Sequence, residues 1–191
     1  MRLIFLVISL LALVGCDDGS GGGGGAGGGG GASRETYPVE GIGKTEGAVL
    51  ANLSFDTPEG GTLSMEDVFQ DETRQIMLIT TSAGWCTACI EEQPKHVALH
   101  DEFAGKGLFI LITLFENDQF GPADAQLAAQ WKARYALPFD VVADPAFQFA
   151  DYYNRELTPM TMLVDVDTMK ILKISTGFPE TEVRAILNAA L

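Results

Sequence analysis

The segment Ile76-Met77-Leu78-Ile79-Thr80, followed five residues later by Trp85-Cys86-Thr87-Ala88-Cys89, decides how this chain is read. A short, wholly apolar run suits a strand buried on both faces. The stretch from Cys86 to about Phe103 suits a helix, stopped by Gly105 and Gly107. The two cysteines therefore sit where a strand gives way to a helix. At a helix start the first backbone N–H groups have no partner, and the positive end of the dipole faces outward. Both effects favour thiolate at Cys86, and thiolate is the nucleophilic form of cysteine. Cys89 follows nearly one turn later on the same face, within bridging distance. It is placed to attack a mixed disulfide formed at Cys86 and release the other partner.

Two other uses of the pair fit the sequence less well. A structural zinc site needs four ligands, and no second cysteine pair exists. His96 and His100 are spaced i, i+4, but Pro94 is expected to bend the helix between them and the cysteines. A permanent structural disulfide across so short a loop would add little stability by the chain-entropy argument.

Working outward, Leu50–Phe55 and Thr62–Ser64 flank the turn signal Pro58-Glu59-Gly60-Gly61 and predict a hairpin. Leu108–Phe115 predicts a second buried strand. Leu127, Trp131 and Tyr135 recur at four-residue steps, so 123–135 is an amphipathic helix with Trp131 and Tyr135 in the core. Residues 139–142 suit a short strand and 145–154 a short helix, whose Phe147, Phe149, Tyr152 and Tyr153 suit core packing. Met160–Asp165 and Lys170–Ser175 suit an antiparallel pair turning at Asp167-Thr168, and Glu180–Leu191 a last helix. Strands alternating with helices, then a hairpin and a helix, define an α/β sheet covered on both faces.

Composition narrows the function classes. The 191 residues carry a net charge of −14 at pH 7, with an apolar fraction of 47%. That fraction supports a packed core in one domain with appendages. The acidic balance argues against nucleic acid and against an anionic lipid surface as partner, since both need clustered Lys and Arg. The scattered acids suit a solubilising surface. Only three cysteines are present, too few for a disulfide scaffold.

The third cysteine has its own context. Leu3–Val14 is apolar but for Ser9, shorter than the roughly 20 residues a membrane span needs. It suits a signal peptide over residues 1–15. Leu13-Val14-Gly15-Cys16 resembles the bacterial lipoprotein box, which implies lipidation at Cys16 and a lipid anchor in the membrane. Asp17 directly after it resembles an inner-membrane retention signal. Gly19–Gly31 holds 11 of the chain's 22 glycines. Residues 16–45 are read as a lipidated cysteine with a flexible tether, of span roughly 30 Å. Residues 46–191 are read as the folded domain.

Several segments around the cysteines resemble one family. Ala51-Asn52-Leu53-Ser54-Phe55-Asp56, with Gly60-Gly61-Thr62-Leu63-Ser64, is similar to the N-terminal hairpin of the TlpA/ResA-like thiol–disulfide oxidoreductases. These are thioredoxin-fold proteins held on the extracytoplasmic side of bacterial membranes. Leu137–Pro145 and Pro159-Met160-Thr161-Met162-Leu163-Val164-Asp165 resemble further segments of that family. The resemblance covers about 48–191. It implies a thioredoxin-like fold: a central mixed sheet, helices on both faces and an N-terminal β-hairpin extension.

The resemblance also implies roles. Cys86 and Cys89 form the redox-active disulfide, with no other cofactor and no metal. Pro159 follows a cis peptide bond beside them. Thr158 presents its backbone to an incoming peptide, and Trp85 shields the disulfide or contacts substrate. Glu92 accepts the Cys89 proton, while Glu91 points elsewhere and Pro94 is structural. The implied partners are protein thiols and disulfides of the cell envelope and a membrane electron donor or acceptor, the protein itself acting as a monomer. The family leans towards reduction. Departures are Thr80 where thioredoxins carry a buried Asp, Thr87-Ala88 between the cysteines, and Arg155-Glu156-Leu157 before Thr158. Two rivals share the fold. A peroxiredoxin-like peroxidase would need a Thr where Ala83 stands, and copper-handling modules space their cysteines one residue further apart.

Overall fold

The structure, a computed structural model, describes residues 34–191. The expected signal peptide, Cys16 and the glycine tract lie outside the described residues. Seven strands form one sheet: β1 (Ser54–Asp56), β2 (Thr62–Ser64), β3 (Ile76–Ala83), β4 (Leu108–Glu116), β5 (Asp140–Ala143), β6 (Met160–Asp165) and β7 (Lys170–Thr176). Their order is β2-β1-β5-β4-β3-β6-β7. The three inner strands β3, β4 and β5 run parallel, while β6, β7 and the β1–β2 hairpin pair antiparallel. Four helices accompany them: α1 (Met65–Gln70), α2 (Thr87–Phe103), α3 (Ala125–Arg134) and α4 (Glu180–Ala190).

Every residue of β3 is buried, because the strand lies inside the sheet and both its faces are covered. Alternation then splits the core in two. Ile76 and Leu78 meet Leu99 and Phe103 of α2, Trp131 of α3, and Val183 and Leu187 of α4. Met77 and Ile79 meet Met65, Val68 and Phe69 of α1, together with Tyr37 and Phe149. The expected mixed sheet with helices on both faces is what forms, but three of the four helices cover one face. The other is closed by short α1 and by irregular chain.

Two expectations are corrected and one helix is added. Helix α1 was not foreseen, though its capping box can be read in Ser64-Met65-Glu66-Asp67: the Asp67 N–H donates to Ser64 Oγ at 3.1 Å and the Ser64 N–H to Asp67 at 2.8 Å. The helix expected over 145–154 is a 3-10 turn at Gln148–Asp151, followed by another at Arg155–Leu157. Phe147 adopts a left-handed φ of +50°, and the buried Asp144 carboxylate takes the Gln148 N–H, so no α-helix can propagate. The folded part also starts before residue 46. Arg34 donates to the carbonyls of Phe69, Asp71 and Arg74 and pairs with Asp167. The buried Tyr37 donates to Leu50 O at 2.7 Å. Composition alone does not show where a folded domain starts, because that is set by such long-range contacts.

Candidate active site

Cys86 is the N-cap of α2, and it forms a disulfide with Cys89, with Cα atoms 5.3 Å apart. Both are buried. The surroundings of the two sulfurs differ. The backbone N–H of Cys89 donates to Cys86 Sγ at 3.1 Å, whereas Cys89 Sγ lies 4.0 Å from the Thr81 carbonyl oxygen. An N–H aimed at sulfur favours thiolate, and a carbonyl beside it favours the protonated thiol. Each sulfur also has a carbonyl oxygen at 4.0 Å, Thr158 O for Cys86 and Thr81 O for Cys89, so the difference between them is the Cys89 N–H, which favours negative charge at Cys86 in the reduced pair.

The Thr158–Pro159 peptide bond is cis. The Thr158 carbonyl oxygen stands 4.0 Å from Cys86 Sγ, so the β6 entry and the α2 start meet at the disulfide. A chain of hydroxyls holds them together. Met160 N–H donates to Thr81 Oγ1 at 3.0 Å, and Thr81 donates to Tyr153 Oη at 2.8 Å. Tyr153 lies 3.0 Å from Thr158 Oγ1, which donates to Arg155 O at 2.7 Å. The sequence assigned Tyr153 to core packing; its ring does pack on Phe147, but its hydroxyl is the middle of this chain.

Glu92 is buried, 8% exposed, while Glu91 is exposed. The Glu92 carboxylate accepts the Phe178 N–H, its Oε2 has no partner, and burial pushes its pKa up to about 7. One turn on, His96 is completely buried with neither ring nitrogen partnered, its edge set against Phe178 at 4.9 Å. Burial pushes its pKa down to about 4. His100 sits elsewhere, against Phe139 and Asp101. Helix α2 runs unbroken through Pro94. Among the described residues, no three His, Cys, Asp or Glu side chains are grouped to hold a metal ion. Thr80, in the place of the thioredoxin Asp, is buried with its hydroxyl unpartnered.

Trp85 is half-buried. Its Nε1 donates to Glu116 at 3.0 Å, and Glu116 pairs with Arg155. The Arg155 guanidinium lies over the rings of Phe115 and Phe147. Glu116 and Arg155 join the site only because β4 ends beside the cysteine turn, and sequence spacing carries no sign of that.

A polarised C-x-x-C disulfide at a helix start, facing a cis-proline at the edge of a mixed sheet, defines a thioredoxin-like thiol–disulfide oxidoreductase. The chain belongs to the AhpC/TSA family, whose model matches residues 47–173. It is similar to the thioredoxin-like protein YneN of Bacillus subtilis, at 27% identity over 131 residues, 69% of this chain and 72% of that one. Among solved structures it resembles the thioredoxin domain of a thiol-disulfide oxidoreductase of Bacteroides vulgatus. That likeness has TM-score 0.59 and 15% identity, covering 77% of this chain and 99% of the other. It also resembles a secreted Mycobacterium tuberculosis disulfide oxidoreductase homologous to E. coli DsbE, with TM-score 0.53 and 14% identity over 72% and 96% of the two chains.

Proposed function

We propose that this protein is a membrane-tethered, extracytoplasmic oxidoreductase that reduces disulfides of cell-envelope proteins. The observation that carries the reading is the unequal setting of the two sulfurs: the Cys89 N–H is aimed at Cys86 Sγ, and the start of helix α2 lies at Cys86. Cys86 thiolate attacks a substrate sulfur, its disulfide breaks, and one substrate thiolate leaves with a proton from solvent. Cys89 gives its proton to the Glu92 carboxylate and attacks Cys86 Sγ. The Cys86–Cys89 disulfide forms as the Cys86–substrate disulfide breaks, and the second substrate thiolate leaves with the proton held by Glu92. Two electrons and two protons from a membrane partner restore the dithiol. A carboxyl with a pKa of about 7 suits the relay, since an acid–base group works best near the ambient pH.

Thr158 and Pro159 receive the peptide, and Trp85 lies at its edge. The lipoprotein-like box ending at Cys16 supports the tether, and the secreted mycobacterial neighbour supports an extracytoplasmic setting. Peroxidase chemistry of the peroxiredoxin type is disfavoured, because Ala83 offers no hydroxyl three residues before Cys86.

The test is the reduction potential, read by equilibrating the protein in thiol buffers and counting alkylated cysteines by mass. A midpoint near the thioredoxin value of about −270 mV supports a reductant. One near about −120 mV makes the protein a disulfide donor, and failure to form the bond at any poise ends the reading.

A further inference from the structure

Few large apolar side chains are left exposed among the described residues, and two of them, Phe120 (67%) and Leu157 (50%), neighbour residues that flank the disulfide. Phe120 lies on Trp85, the residue before Cys86, with ring centroids 5.7 Å apart and planes at 27°. Leu157 precedes Thr158, whose carbonyl approaches Cys86 Sγ.

Phe120 is held where it is. Its loop leaves β4 and returns at a bridge between Glu116 and Pro122. Asn117 Oδ1 accepts the N–H groups of Gln119 and Gly121, each at 2.9 Å. The Asn117 N–H donates to Gly121 O, and the Phe120 N–H to Asn117 O. The loop sits so close to the cysteine turn that a Cβ on Gly84 would stand 2.6 Å from Asp118 N. Phe120 itself adopts a left-handed φ of +63°, which a bulky residue takes at a cost. The fold thus spends strain and water-exposed apolar area on one ring that lies on Trp85, the residue before Cys86.

Resting on the reading of a disulfide reductase, we infer that Phe120 with Trp85, and Leu157 next to Thr158, form an apolar rim that selects protein substrates carrying an aromatic or large aliphatic residue next to the reactive cysteine. An extended peptide advances about 3.3 Å per residue, so a substrate cysteine at Cys86 carries its neighbours onto this rim. Charge favours the same partner. Asp118 and Glu156 are exposed here, and the rim cation Arg155 is already paired with Glu116. An acidic segment would find no free cation in this rim, whereas an uncharged apolar one would bury against it.

The experiment uses two symmetric hexapeptide disulfides, one with phenylalanine preceding its cysteine and one with serine there. Dithiol protein is mixed with each, and each turnover yields one protein disulfide and two peptide thiols. The wild-type rate constant is expected to favour the phenylalanine peptide about tenfold, the scale of burying part of an aromatic ring. Phe120→Gly, whose residue accepts a positive φ without strain, should bring the ratio close to one, and Leu157→Ser should lower it. Val39→Ser, which changes an exposed apolar residue of the N-terminal segment, should keep it. Equal wild-type rates, or a ratio unchanged in Phe120→Gly, overturn the rim. Reduction of neither peptide overturns the reductase reading beneath it.

Discussion

The N–H of Cys89 points at the sulfur of Cys86 across 3.1 Å, so helix α2 opens on that sulfur. In the reduced Cys89→Ser protein, Cys86 is expected to titrate below the free-cysteine value of about 8.5. The rate of iodoacetamide alkylation against pH measures this. A midpoint at or above the free value would remove the assignment of Cys86 as nucleophile.

Glu92 and His96 make stability respond to pH in opposite directions. Glu92 titrates at about 7 when folded against 4.5 ordinarily, so between these values the folded state holds an extra proton. Its contribution therefore falls as pH rises from about 4.5 to about 7. His96 titrates at about 4 against 6.5, so the unfolded chain holds the extra proton between them, and stability rises with pH there. The two contributions offset in wild type, so urea midpoints from pH 4 to pH 7.5 should rise with pH in Glu92→Gln and fall with pH in His96→Met, each relative to wild type. Parallel profiles in all three would show that neither group is buried as described. At neutral pH, His96→Met should add about 1 kcal/mol, because an apolar chain replaces two unpartnered nitrogens.

Tyr153→Phe removes the middle of the hydroxyl chain and leaves the Thr81 hydroxyl without an acceptor. The expected loss is about 1–3 kcal/mol in urea unfolding, the scale of one buried unsatisfied group. A loss within about 0.3 kcal/mol would mean that water replaces the phenol.

Gly84→Ala would place its Cβ against the backbone of Asn117 and Asp118, so the loop has to move. A cost of about 1–3 kcal/mol is expected, with a change in tryptophan fluorescence as the Phe120 ring leaves Trp85. Unchanged stability and emission together would show that the loop yields freely.

Much of the strand and helix pattern was legible because it follows from local rules. Ile76 to Thr80 is apolar enough to be buried on both faces, and Gly105 and Gly107 mark where α2 ends. The capping box that starts α1 is equally local, but a six-residue helix is too short to show the periodicity that marks a helix in sequence. The 3-10 turn after Asp144 was not legible, since aromatic density says nothing about the φ of Phe147.

The sequence by itself determined the reactive pair. Two cysteines three residues apart at a helix start must share a face and meet the helix dipole, whatever surrounds them. Only the tertiary structure decided the rest of the site. It brought Thr158 to Cys86 from 72 residues away, closed Phe178 over Glu92 and His96, and laid Phe120 on Trp85. The reason is physical: helix starts and turns depend on neighbours along the chain, whereas burial, and the proton affinities that follow from it, depend on which distant segments fold against them.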